Sequence, residues 1–473
     1  MIRLPDEIGP LVRAFGQAGQ NLYIVGGWVR NTLLGLPSLE IDACSALPPD
    51  AVISLLKDQE GVCTTVINRE LGTVRIDFGK ASLFVEHTAL RAESYGDGGF
   101  HRPQRVRTGV SLEEDALRRD FTVNAIYYDV LQKKIIDPVG GLEDLEKKRI
   151  RTVCAKTLQD DALRILRMVR LACELDFRVE EAAFQAAREN VRLLRDIAPE
   201  RRAEELSRIL LSDAKYYPPD KADGHACLRG LELLSALGAF FHLLPELERG
   251  RGFSHPNKYH AYDVLHHNFY TCRHMPPALH LRLAGLLHDV GKPASFIRDG
   301  NFYQHAQVGA DLAKEMLGQG GLRYKNALVE RVCRLIEEHM FDLDGSAREN
   351  TVRLRFAGMG IPLASELLWL RRADILGSRA GNSAGFFIRK WGTILCALEN
   401  DGTPLSMDAL EITGEDIMQA CGIGPGERVG RIKQKLWQQC VYDPSLNTRE
   451  KLIRRAQSLH RELPPPGADN RKK

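Results

Sequence analysis

Three groups of residues in this chain have types and spacings suited to chemistry. The first opens with Val25-Gly26-Gly27-Trp28-Val29-Arg30, an apolar run ending in paired glycines that leads into Thr32-Leu33-Leu34-Gly35. Glycines ahead of a helix let backbone N–H groups approach an anion, the helix dipole adds to the pull, and Arg30 offers a bidentate phosphate contact. Alone, the same pattern describes any strand, turn and helix with a surface arginine. Glu40-Ile41-Asp42 follows in a strand-like run. Side chains alternate along a strand, so Glu40 and Asp42 share one face while Ile41 points to the core. Two carboxylates beside a phosphate turn can hold Mg²⁺ against a nucleoside triphosphate, with Glu86 in Phe84-Val85-Glu86-His87-Thr88 completing the set from a neighbouring strand. The bland alternative is two solvated acids at a loop end. In Arg118-Arg119-Asp120-Phe121-Thr122-Val123-Asn124-Ala125 the arginines suit a triphosphate, and Asp120 and Asn124 can brace the site.

The second group runs from Asp160 to Arg170 and reads as one helix. Asp161, Arg164, Arg167 and Arg170 recur every three residues as a polar stripe, while Leu163, Leu166 and Val169 fill an apolar face. By itself the stripe is a solvated ion-pair face. Beside a triphosphate site it gains a second use. A carboxylate accepts from an exocyclic amine and a guanidinium donates to a neighbouring ring nitrogen or carbonyl, so one Asp/Arg pair accepts cytosine and adenine and rejects uracil and guanine. The third group is His288-Asp289 after the apolar run Leu283–Leu287, with His266-His267 upstream and His305, His339 and Asp374 downstream. Imidazoles with carboxylates suit Mg²⁺, Mn²⁺, Fe²⁺ or Ni²⁺ and leave positions open for phosphate.

The elements that must position these groups differ along the chain. The first 150 residues mix strand-like runs with helical ones. Leu22–Val25 reads as a buried strand, Val74, Ile76 and Phe78 alternate as in a half-buried one, and Ser82–Leu90 is a third. From about residue 158 helical spacing takes over. Tyr216–Gly224 punctuates it between helices, and Arg249–Pro256 reads as a linker. The expected division is a head over 1–150, a helical neck over 151–250, a metal-binding domain over 255–381, a C-terminal helical region over 382–463 and a disordered tail over 464–473. The fold class is α+β.

With 473 residues, 44% hydrophobic and 27% charged, several soluble globular domains are expected. A net charge of only +3 excludes a nucleic-acid coat protein, so any nucleic-acid site must be a local cluster. The ten cysteines form no C-x-x-C pair, which argues against zinc fingers and for reduced thiols in a cytoplasmic protein. The start lacks the apolar run of a signal peptide, and no stretch is long and apolar enough for a membrane span.

Taken in order, Gly26–Asn31 (GGWVRN), Glu40–Asp42 (EID), Arg118–Ala125 (RRDFTVNA) and Gly140–Leu145 (GGLEDL) resemble the head of the class II tRNA nucleotidyltransferases. These are the CCA-adding enzymes, with bacterial poly(A) polymerases as close relatives. The His/Asp set resembles an HD domain. The resemblance implies a nucleotidyltransferase head with a mixed β-sheet, then an all-helical neck, an HD domain and C-terminal helices that grip tRNA. It implies addition of CCA to the tRNA 3′ end from CTP and ATP without a nucleic-acid template, with Mg²⁺ in the head and release of pyrophosphate. An HD phosphohydrolase activity accompanies it in some relatives.

On this likeness Glu40 and Asp42 match the metal-binding pair, and Gly27, Arg30, Arg118 and Arg119 match nucleotide-contacting positions. Asp160, Asp161 and Arg164 match the base-selecting E-D-x-x-R motif, and Pro199–Leu206 matches the supporting neck motif that follows. The pattern D-V-x-x-H over Asp263–His267 makes His267, rather than His266, the first HD ligand. Ile412–Asp416 and Gly424–Gly430 match the C-terminal region, where Arg428, Arg431, Lys433 and Lys435 are expected phosphate contacts. The chain departs from the family's Asp at Glu40 and Asn31 and from its Glu at Asp160. The extra methylene of Glu40 moves a bound metal by about an ångström, enough to slow the reaction. Two alternatives follow: an enzyme adding only CC or only A, and an HD phosphohydrolase whose head has become an RNA-binding module.

Overall fold

The computed structural model describes residues 2–38, 40–79, 83–95, 103–253, 262–378 and 385–463, without the side chains of 385–387. The expected tail and the end of the expected linker lie outside the described residues. The chain divides into two compact units, one of Met1–Arg251, Pro276–Arg282 and Lys314–Val329, the other of Gly252–Met275, Leu283–Ala313 and Glu330–Lys473.

The first unit begins with a seven-stranded sheet. Its strands are β1 (Tyr23–Val25), β2 (Ile41–Ser45), β3 (Val62–Asn68), β4 (Thr73–Phe78), β5 (Phe84–Ala89), β8 (Tyr127–Asp129) and β9 (Lys134–Ile136), with β6 (Arg91–Ser94) and β7 (Arg105–Thr108) forming a separate ribbon. The order is β3-β4-β5-β2-β1-β8-β9. All neighbours are antiparallel except β2 and β5, which run parallel and make the sheet mixed.

The alternation expected for Val74, Ile76 and Phe78 holds, since all three are buried along β4. Ile41 and Ala43 are buried on the β2 face shared with His87, and the ring of Phe15 from the helix Gly9–Gln17 stands 5.9 Å from that histidine. Asp42 and Glu86 sit opposite each other in the β2–β5 register and project from the other face. The period-two reading of β2 was therefore sufficient to place Asp42.

The neck carries the helices Thr157–Asp160, Leu163–Glu174, Pro199–Leu210 and His225–Ala236. A two-residue parallel pair, β10 (Arg149–Ile150) with β11 (Arg178–Val179), links the end of the head to the start of the neck. The stretch Asp160–Arg170 is not one helix, contrary to its sequence pattern. Asp161 is extended at φ −141°, and its Oδ1 accepts from Leu163 N–H at 3.0 Å. A short acidic side chain that satisfies an N-terminal N–H competes with the helical backbone, so the helix restarts after it.

The second unit is helical. Val264–His274 packs against Ile361–Gly377, with Lys292–Asp299 following the HD dipeptide. Its C-terminal part closes Gly414–Cys421, Glu427–Tyr442 and Arg449–Glu462 around Ile417, Ile432, Leu436, Leu452 and Ala456. Arg428, an expected phosphate contact, is half-buried. It donates to His460 Nδ1 at 3.0 Å and to the carbonyls of His460 and Leu463 at 2.6 and 3.0 Å, where it satisfies the open C-terminus of the last helix. Lys433 pairs with Asp408 at 3.1 Å. Among the described residues no helix is long and apolar enough to cross a membrane.

Candidate functional site

The head site forms where β1 ends. Gly26 has φ +80°, and a Cβ there would stand 3.0 Å from Asp42 Oδ2, so only glycine permits this turn beside the carboxylate. The helix Gly27–Leu34 starts at once and carries Arg30 and Asn31 inward. A cleft of about 590 Å³ opens here, lined by Gly27, Arg30, Glu40, Asp42, Asn124, Arg167 and Arg170. Desolvation in the cleft raises the Asp42 carboxyl, and the nearby Glu86 and Glu40 add to it against the pull of Arg119 and Arg167. Glu40 and Glu86 add negative potential at Asp42, which a divalent cation held by these carboxylates would relieve.

Arg30 supplies the opposite charge. Its guanidinium donates to Asn31 Oδ1 at 3.0 and 2.8 Å and to Asn124 Oδ1 at 2.5 Å. These partners are neutral amides, and the charge is buried, which lowers its pKa. Asn31 is held in turn by Pro37 O at 3.2 Å and the Tyr216 hydroxyl at 3.3 Å. The replacement of a family Asp by Asn31 therefore leaves Arg30 as a buried cation facing the cleft, ready for an anion.

The arginine stripe is not a solvated face. Arg164 and Arg170 are buried. Arg167 donates to Asp120 Oδ2 at 2.9 and 2.5 Å, and its guanidinium lies 4.0 Å from Glu205. Arg170 pairs with Glu205 at 2.7 Å and Glu174 at 3.2 Å. Burial would raise the Asp120 carboxyl, but Arg167 and Asn124 outweigh it and hold Asp120 well below the usual range. Asn124 Nδ2 donates to Asp120 Oδ1 at 3.0 Å, so Asp120 joins Asn124 to Arg167.

Arg118, Arg119, Asp161 and Arg164 do not line the cleft, although Arg119 is near enough to lower the Asp42 carboxyl. Arg118 pairs with Asp115 at 2.8 Å and Arg119 with the same carboxylate at 2.9 Å, and the two hold Asp115 at about 2 against the burial that raises it. Asp115 comes from a helix set by a Ser111/Glu114 capping box, a signal visible in the sequence. Arg164 donates to the carbonyls of Thr157 at 3.1 Å and Arg118 at 2.8 Å, which fixes its guanidinium. Asp161 spends Oδ1 on the helix start and keeps Oδ2, with Arg201 3.9 Å away. Glu174, Lys215 and Tyr216 also line the cleft; they carried no sequence signal, because their link to it is tertiary.

The second site gathers all six expected HD residues. His267 Nε2 lies 3.1 Å from His288 Nε2, 3.4 Å from Asp289 Oδ2 and 3.1 Å from Asp374 Oδ1. His305 Nε2 lies 3.2 Å from His339 Nε2, and the two lie 3.3 and 3.6 Å from Asp289 Oδ1. His267, His288 and Asp289 form one ligand triad, and Asp289, His305 and His339 form another, both buried.

The Nδ1 atoms of His288, His305 and His339 face the carbonyls of Gly285, Phe302 and Ile336 at 3.0, 2.8 and 2.6 Å. A carbonyl only accepts, so each Nδ1 carries the proton and each Nε2 turns a lone pair to the centre. The close approach of the two triads depends on Gly291, where a Cβ would meet His305 O at 2.2 Å. Lys292 Nζ lies 2.5 Å from Asp289 Oδ2, a contact that three-residue spacing after the HD dipeptide could have revealed. The donor set and its fixed tautomers fit divalent metal.

Comparison with known proteins agrees with this geometry. Residues 22–151 match the family described as Poly A polymerase head domain, 176–217 match "Probable RNA and SrmB- binding site of polymerase A", and 259–376 match the HD domain. The chain is 32% identical to the A-adding tRNA nucleotidyltransferase of Deinococcus radiodurans over 87% of this chain and 90% of that protein. It is 32% identical to the CC-adding tRNA nucleotidyltransferase of Thermus thermophilus, over 88% and 89%. The crystal structure of the Bacillus stearothermophilus CCA-adding enzyme in complex with CTP shares its fold at a TM-score of 0.69 and 23% identity, covering 97% of this chain and 99% of that one.

Proposed function

Since the chain belongs to the class II tRNA nucleotidyltransferases and carries an HD domain, we propose that it completes the CCA end of tRNA from CTP and ATP without a nucleic-acid template. The observation that carries this reading is the cleft itself. Glu40 and the β2 carboxylate Asp42 share one cavity with the buried Arg30, whose side-chain hydrogen bonds go to neutral amides, and Arg167, Arg170 and Arg208 of the neck line the same cavity.

In the reaction the 3′ hydroxyl of tRNA forms a bond to the α-phosphorus of the nucleotide, the α–β bridging bond breaks, and pyrophosphate leaves. Glu40 and Asp42 would hold Mg²⁺, with Glu86 beside them. Mg²⁺ bound there supplies charge neutralisation of the triphosphate and acidifies the attacking hydroxyl. Arg30 binds phosphate oxygen, and Asn31 and Asn124 orient it. Asp120 fixes Arg167. Asp161 Oδ2 accepts the amine of cytosine or adenine, and Arg164 donates beside it. Glu40 and Asp42 are the pair on which the chemistry depends, so Asp42→Ala should abolish incorporation into a tRNA lacking its 3′ end while tRNA binding stays near wild type. Retained incorporation would sink the assignment.

A narrower reading is favoured by two relatives that each match 87% or more of this chain, one A-adding and one CC-adding. CTP alone, ATP alone and both together, each with tRNA ending before and after CC, separate the three specificities. For the second site we propose metal-dependent phosphoester hydrolysis, because two ligand triads share Asp289 and the chemistry of paired ions clamps an in-line displacement. His288→Ala should remove hydrolysis and leave nucleotide addition intact.

A further inference from the structure

The segment that follows the helix Pro199–Leu210 brings Lys215 and Tyr216, neighbours in sequence, into the lining of the catalytic cleft. The cations around them differ in what already neutralises each. Arg167 pairs with Asp120 and Arg208 with Glu204, both at 2.5 Å, and Arg170 pairs with Glu205 at 2.7 Å. Arg30 donates to neutral amides. Lys215 is exposed, and no carboxylate pairs with it among the described residues. An unpaired ammonium on a flexible stem suits an anion that arrives from solvent.

The half-buried Tyr216 also has a donor to spare. Its hydroxyl oxygen accepts from Asn31 Nδ2 at 3.3 Å. Asn31 Oδ1 already receives two N–H groups of Arg30, and at 3.5 Å from the phenol it is too far for a good O–H bond. The phenolic hydrogen is therefore available to an acceptor that enters the cleft. Arg30 stands one helical turn beyond Gly26, the glycine that abuts Asp42, and Tyr216 stands across the Asn31 amide from Arg30. A triphosphate with its α-phosphorus at the carboxylates can follow this line, past Gly27 and Arg30 to Lys215 and Tyr216.

We infer that Lys215 and Tyr216 bind the two phosphates that leave as pyrophosphate, Lys215 through its ammonium and Tyr216 through its hydroxyl hydrogen. The inference rests on the reading of this cleft as the site of nucleotide addition. A backbone phosphate of tRNA offers the same chemistry, so the experiment carries an arm for each source.

The full chain and its Lys215→Ala, Lys215→Arg and Tyr216→Phe variants are titrated calorimetrically with inorganic pyrophosphate, CTP and CMP in the presence of Mg²⁺, and with tRNA lacking its CCA end. Lys215→Ala should weaken pyrophosphate and CTP by the same factor, about ten-fold, and leave CMP and tRNA unchanged. Lys215→Arg, which keeps the charge, should recover most of that loss. Tyr216→Phe, which keeps the ring, should weaken pyrophosphate and CTP several-fold and spare CMP. Unchanged pyrophosphate affinity in Lys215→Ala, a loss confined to tRNA, or a loss equal for CTP and CMP would overturn the inference. Incorporation of CTP into the same tRNA by the wild-type protein is measured alongside. Its absence overturns the reading of the cleft, whereas incorporation with unchanged pyrophosphate affinity in Lys215→Ala overturns this inference alone.

Discussion

Asp289 is the residue on which the second site can be broken most informatively. Two donors bound to one ion at roughly 2.1 Å each lie about 3.0 to 3.4 Å apart, depending on the angle between them. The Nε2 pairs at 3.1 and 3.2 Å, and the Asp289 oxygens at 3.3 to 3.4 Å from His267, His288 and His305, match two such ion positions, one on each carboxylate oxygen, with His339 slightly farther at 3.6 Å. A four-ligand structural site in small zinc peptides is worth roughly 10–16 kcal/mol, so one ligand is worth about 3 kcal/mol, or about a hundred-fold in affinity. His305→Ala should therefore weaken one ion about a hundred-fold and spare the other. Asp289→Ala should weaken both. The assay is calorimetric titration of chelator-treated protein with Mn²⁺, in an Asp42→Ala background so that the head does not contribute. Saturation of this site at a single ion, or equal weakening of two ions by His305→Ala, would refute the bridging role of Asp289.

Three further expectations follow from single residues. Asp161→Ala removes the carboxylate oxygen that the helix start leaves over, so discrimination against UTP and GTP should relax about a hundred-fold; unchanged preference across all four nucleotides would return this segment to a purely structural role. Asn31→Asp sets a carboxylate against Arg30, where amide oxygen now accepts at 2.8 and 3.0 Å, and should raise the KM for CTP about ten-fold at near-constant kcat; a lower KM would show that Arg30 is not an anion site. Burial lowers His87 from 6.5 to about 4. Below pH 6.5 the unfolded chain takes a proton that the folded head refuses, so stability is full above 6.5 and about 3 kcal/mol is lost as pH falls to 4. His87→Gln should flatten that stretch of the denaturation-versus-pH curve, and an unaltered slope would exclude His87 as its source.

The parts of the site that could be read from the sequence share one physical property: the signal was local or chemically rare. Ile41 and Asp42 alternate over two residues, which fixes their faces once β2 exists. The six HD residues are of types seldom buried without a task, and their order along the chain sufficed to unite them. What escaped was the choice of partner. Arg118 and Arg119 look like phosphate ligands until Asp115 arrives one helical turn earlier to claim both. Arg428 looks like a surface cation until the last helix presents its open carbonyls. The break at Asp161 defeats a three-residue periodicity because one carboxylate oxygen outbids the backbone. The hydrogen bond between Asn31 and Tyr216 joins residues 185 positions apart, and no periodic pattern encodes such a distance. Strand β3, half-exposed along its whole length, offered little apolar contrast to read.

The two-residue ladder between Arg149–Ile150 and Arg178–Val179 bears on how such a protein can be recombined. A crossover placed at residue 150, where the composition turns helical, would separate β10 from β11 and Asp120 from Arg167. A head grafted onto a foreign neck would need a guanidinium at one fixed height on the incoming helix, and an acid like Glu205 behind it to hold that helix's arginines. Heads and necks should therefore be inherited together, and functional hybrids should be recovered only from joints that fall beyond Glu205.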